Sequence, residues 1–116
     1  MASVRTLTKQ PSEVIDVDWN LDKFLDTPTT NGDYVTGVTV VVSSATDGVP
    51  ANLLLGPGTL PETQILAGKT SGLAGQRVKV WLGGGLNGVT YKITVVATLN
   101  SLRVNELDFQ IRVREI

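Results

Sequence analysis

The chain has 116 residues, enough for one domain with a substantial core. Ten basic and eleven acidic residues leave a net charge of −1, which argues against a nucleic-acid binder working by bulk electrostatics. Without cysteine there are no disulfides and no thiol chemistry, and without histidine the commonest general base and zinc ligand are missing.

Residues 1–11, "MASVRTLTKQP", show no clear period and read as an N-terminal arm ordered by a partner. A single domain is expected over 12–116. Its first strand covers about 13–21, where Ile15, Val17, Trp19 and Leu21 alternate with Asp16, Asp18 and Asn20. "LDKFLD" (21–26) offers a short helical turn, and "DTPTTNGD" (26–33) has turn chemistry around Pro28 and Asn31-Gly32. The valine- and threonine-rich segment 34–44 reads as a strand, followed by a turn at 45–50. Between 51 and 75, Gly56, Pro57, Gly58 and Pro61 break the apolar runs, so short irregular strands with a bend are expected.

In "RVKVWL" (77–82), Val78, Val80 and Leu82 share one face, while Arg77, Lys79 and Trp81 share the other. "GGGLNG" (83–88) turns the chain into "TYKITVVATL" (90–99), with Tyr91, Ile93, Val95 and Ala97 in phase. After a turn at 100–101, Leu107, Phe109, Ile111 and Val113 alternate with Asp108, Gln110, Arg112 and Arg114. Strands punctuated by turns, without intervening helices, predict an all-β sandwich or barrel.

Two segments imitate ligand sites. Asp16, Asp18, Asn20 and Asp22 have the spacing that opens an EF-hand calcium loop. That loop needs glycine at position six and glutamate at position twelve, and counting from Asp16 these are Leu21 and Thr27. A strand face explains the alternation instead. Gly83, Gly85 and Gly88 match the dinucleotide pattern G-x-G-x-x-G, which works only at the start of a helix. Here a β-forming segment follows. Tyr91, heading a strand after a glycine turn, fits the tyrosine corner of immunoglobulin-like sandwiches better than an ordinary strand tyrosine.

Charge is unevenly placed. Residues 1–60 carry seven acids and three bases, net −4, while 61–116 carry four acids and seven bases, net +3. Pairing of the two halves within the fold is the plainer explanation. Head-to-tail contact between copies is the other.

"KQPSEVIDVDW", "VKVWLGGGLNGVTYKITV" and "FQIRVREI" together resemble the small tailed-phage and prophage fibre–tail adaptor proteins. The family's K-x-P segment and Asp-Trp pair are matched by Lys9, Pro11, Asp18 and Trp19. Its V-W-L-x-G-G-x-x-G-x-x-Y segment is matched by Val80, Trp81, Leu82, Gly84, Gly85, Gly88 and Tyr91, and its basic closing strand by Arg112 and Arg114. Residues 45–75 depart from the pattern. The resemblance implies an immunoglobulin-like β-sandwich of about seven strands in a virion, near the tail or its fibres, with no catalytic residues.

The residues agree in marking no catalytic, cofactor or metal site: no serine, threonine or lysine stands with a plausible base, and the acids lie on strand faces and in turns. Trp19, Tyr91 and Phe109 are expected in the core. Trp81, flanked by Arg77 and Lys79, is either a docking anchor or covered by a loop of its own chain. Arg112 and Arg114 are further interface candidates.

The expected function is structural: joining tail or fibre proteins, with other virion proteins and copies of itself as partners, and neither nucleic acid nor membrane. Capsid decoration is an alternative. A receptor- or carbohydrate-binding module ranks lower, because the chain has only two Trp, two Tyr and two Phe. No leader pattern follows Met1, so synthesis in the host cytoplasm is expected.

Overall fold

A computed structural model describes residues 5–20, 34–67, 75, 77–100 and 102–115. Eight strands appear among them: β1 (Arg5–Lys9), β2 (Ile15–Asn20), β3 (Val35–Ala45), β4 (Leu53–Leu55), β5 (Thr63–Leu66), β6 (Arg77–Gly84), β7 (Thr90–Leu99) and β8 (Val104–Val113). A 3-10 turn at Pro50–Asn52 leads into β4. One sheet has the order β1-β8-β7-β3; the other is β2-β6-β4, with β5 also paired to β6. The two form a sandwich.

The alternation of β6, β7 and β8 drives the packing. Val78, Val80 and Leu82 from β6 meet Tyr91, Ile93, Val95 and Ala97 from β7 and Phe109, Ile111 and Val113 from β8, all buried. These are the central strands of their sheets, so every inward side chain is covered from both sides. The edge strand β2 buries only Val17 fully. Ile15 and Trp19 pack against the core but stay partly exposed. Trp19, expected in the core, thus packs against it from a strand at the rim of the sandwich.

The hard segment 51–75 resolves into two short strands sharing one edge of β6. Leu53–Leu55 pairs with Leu82–Gly84, and Thr63–Leu66 with Arg77–Val80. Between them the loop 56–62 leaves the sheet at Trp81, whose N–H donates to Glu62 O (3.2 Å) and whose carbonyl accepts from Gly56 N–H (3.0 Å). The prolines and glycines permit that excursion, because a regular ladder would need the donors that Pro57 and Pro61 lack. Counted as elements the strands are eight. Counted as rows, with β4 and β5 end to end, they are the expected seven.

Part of the arm, expected to be ordered by a partner, pairs within the fold. Residues 5–9 form β1 and pair in parallel with β8, from Arg5↔Phe109 to Lys9↔Val113. The last strand also begins earlier than the alternation suggested, at Val104. The helical turn at 21–26 and the turn at 26–33 lie outside the described residues, as does most of 71–76.

Candidate interaction surfaces

The outer face of the β2-β6 pair carries the alternating acids. Register sets Asp16 opposite Trp81, Asp18 opposite Lys79 and Asn20 opposite Arg77. The ion pairs run diagonally: Lys79 Nζ lies 3.2 Å from Asp16, and Arg77 Nη1 3.4 Å from Asp18. Arg77 Nε also donates to the Ala67 carbonyl at 3.0 Å. Acids of the amino-terminal half thus meet bases of the carboxy-terminal half within one fold. Asp16, Asp18 and Asn20 of the repeat that imitates a calcium loop form one side of a cross-strand ladder.

Trp81 sits in this face, half-buried. Its Nε1–H donates to Gln64 Oε1 on β5 at 3.0 Å, and Lys79 Nζ lies 5.5 Å from its ring centroid. A ring beside a cation, with its own donor satisfied, is held in place without being hidden. Trp81, Arg77 and Lys79 therefore form one surface, in which both cations are engaged by β2.

Arg112 and Arg114 belong to the other layer. Arg112 is exposed on the outer face of the four-stranded sheet, between Thr8 on β1 and Thr90 on β7. Arg114, just past β8, is exposed, and its N–H donates to Lys9 O at 2.9 Å. Along the same face Thr94 Oγ1 donates to Asp108 at 2.8 Å, and Lys92 approaches Asp108 at 4.0 Å. The five interface candidates thus divide between opposite faces of the sandwich.

Two buried groups fix those faces relative to one another. The Tyr91 hydroxyl accepts the Leu86 N–H at 3.0 Å, the tyrosine corner expected from sequence. Gly85 makes room for it, with φ +92 and Val113 Cγ2 only 2.7 Å from where a Cβ would stand. Lys9, 1% exposed, is the residue that sequence reasoning missed as a structural element. Its ammonium donates to the carbonyls of Gly84 (2.5 Å), Gln10 (2.6 Å) and Pro11 (3.4 Å). Burial holds its pKa below 10.5, opposed by the nearby Glu13 carboxylate. The available signal was phase, since Lys9 follows Leu7 at the inward spacing.

Among the described residues there is no cluster of three or more metal-ligating side chains, and no helix long and apolar enough to cross a membrane. No curated protein matches the chain. A family model described as podophage GP4 fiber-tail adaptor protein gp77 matches residues 9–112. The match opens on Lys9, takes in the ion-paired face and the tyrosine corner, and ends on Arg112. The chain therefore belongs to the podophage GP4 fiber-tail adaptor family.

Proposed function

We propose that this chain is a virion component that joins tail and fibre proteins through its two outer faces, by adhesion and without turnover. The carrying observation is the family match over residues 9–112. The geometry supports it. An adaptor needs two separated surfaces on a rigid body. The sandwich offers Trp81 with Arg77 and Lys79 on one layer, and Arg112 with Arg114 on the other. The half-buried tryptophan has the character of a docking anchor: large, oriented and still accessible. The two arginines can engage acidic groups of a second partner.

The fold is immunoglobulin-like in this reading. The order β2-β6-β4 against β3-β7-β8 corresponds to strands BED against CFG of the constant-type sandwich, and Tyr91 on β7 stands where that fold keeps its tyrosine corner. β1 departs from the plan by pairing with the last strand.

Add-back to particles lacking the protein tests the assignment. Purified wild-type chain should rebind and recruit fibres. Trp81→Ala and the Arg112→Glu/Arg114→Glu pair should each fold and fail at one of the two joints. Normal fibre recruitment by both variants would refute the two-face assignment.

A further inference from the structure

We propose that two copies of this chain pair edge to edge through β3, antiparallel about a two-fold axis at Val40, joining their four-stranded sheets into one of eight strands. This goes beyond the adaptor reading and does not depend on which virion proteins are joined.

The edges of the sandwich are not alike. A free strand edge is a row of unpaired backbone donors and acceptors, and folds blunt it by shortness, charge or proline. β1 is five residues long. β2 carries Asp16 and Asp18. β4 and β5 have three and four residues, and the loop with Pro57 and Pro61 separates them. β3 has none of these devices. It ends its sheet, paired with β7 among the described strands. Its eleven residues, VTGVTVVVSSA, hold no charge and no proline.

Two features of β3 select a second copy as the occupant. The first is where the regular edge begins and ends. The Val35 N–H is taken by Gly75 O at 2.8 Å, and register shifts fall at Val35/Gly37 and Val42/Ser44. Bulges stop pairing, so the usable edge is the stretch between them, centred near Val40. The second is the side-chain order. Read antiparallel about Val40, Val38 meets Val42 of the second copy, Val40 meets Val40, and exposed Thr39 meets Val41, itself 53% exposed. Valine and threonine suit cross-strand pairs, and no like charges oppose. Val38, Val40 and Val42 already pack against the core while partly exposed, so the contact covers their remainder and runs the two cores together. Such a contact is isologous and closes as a dimer. It leaves Trp81 on the other sheet and Arg112 on β8 uncovered, so the pair presents each surface twice.

Sedimentation velocity of the full chain over a wide concentration range tests this. The wild type should pass from monomer to dimer and stop there. Val41→Lys, at an exposed position, should keep its melting temperature and weaken association roughly tenfold, since the pair it disturbs occurs twice across the axis. Cysteines read the register in a chain that has none of its own. Under mild oxidation, Thr39→Cys mixed with Val41→Cys should give a cross-linked dimer, because the two positions stand opposite. Val41→Cys alone should cross-link far less, its two copies lying diagonally at about 7–8 Å. A wild type that stays monomeric throughout or grows past the dimer, a Val41→Lys protein that associates like wild type, or a mixture that cross-links no faster than Val41→Cys alone would overturn the proposal.

Discussion

The Lys9 ammonium donates to the Gly84 carbonyl at 2.5 Å, tying the first strand of one sheet to the central strand of the other. The contact spans 75 residues of sequence and meets at the end of the sandwich where β8 also closes. A lysine can do this because its three donors find three carbonyls. The fold keeps a charge inside by giving it backbone oxygens in place of water.

Replacing Lys9 by methionine keeps the bulk and leaves those carbonyls without their donor, at a cost of about 1–3 kcal/mol. The effect depends on pH. Folded Lys9 has its pKa below 10.5, so in the window between that lowered value and 10.5 the unfolded chain binds more protons than the folded one. Stability from this group therefore rises with pH through the window. Urea titrations at neutral and alkaline pH should show the wild type gaining on Lys9→Met as pH increases.

Tyr91→Phe removes only the hydroxyl that accepts the Leu86 N–H. A loss of about 1–2 kcal/mol with an unchanged denaturant slope is expected, because the ring still fills its buried site. The slope, read from the same denaturation curve, separates a lost hydrogen bond from a loosened fold.

The ion-pair ladder should contribute little. Asp16 and Asp18 pair with Lys79 and Arg77 at a partly exposed surface, so Asp16→Asn should cost under about 1 kcal/mol, and less in high salt. Calcium should leave the melting temperature of the wild type unchanged. A large saturable rise would restore the metal reading of the alternating acids.

The two tryptophans should separate stability from docking. Trp19→Ala is expected to cost about 2–3 kcal/mol, below the usual figure for a buried tryptophan because the ring is only partly covered. Trp81→Ala should cost about 1–2 kcal/mol by lost burial and still fold, with the docking defect as its main effect. Thermal melts and particle binding on the same two proteins check both.

Sequence alternation revealed what central strands make visible. Phe109, Ile111 and Val113 announce β8 because β1 and β7 flank them on both sides and the opposite sheet covers their face. The pairing of Arg77 and Lys79 with the β2 acids was legible only as a charge imbalance, since register is a tertiary property. β1 stayed hidden because five residues carry too short a period, and its partner lies at the far end of the chain. Lys9 was legible as a motif residue but not as a buried one, because its burial requires three carbonyls that only the closed sandwich gathers. Trp81 shares the face of Arg77 and Lys79, yet its bond to Gln64 depends on a β5 that the glycines and prolines of 56–61 obscured.

The central claim, that this family member attaches fibres to the tail, is tested most directly by electron microscopy of particles assembled without it. The account predicts tails bare of fibres, refilled when the purified chain is supplied. Particles that keep a full set of fibres in its absence would contradict it.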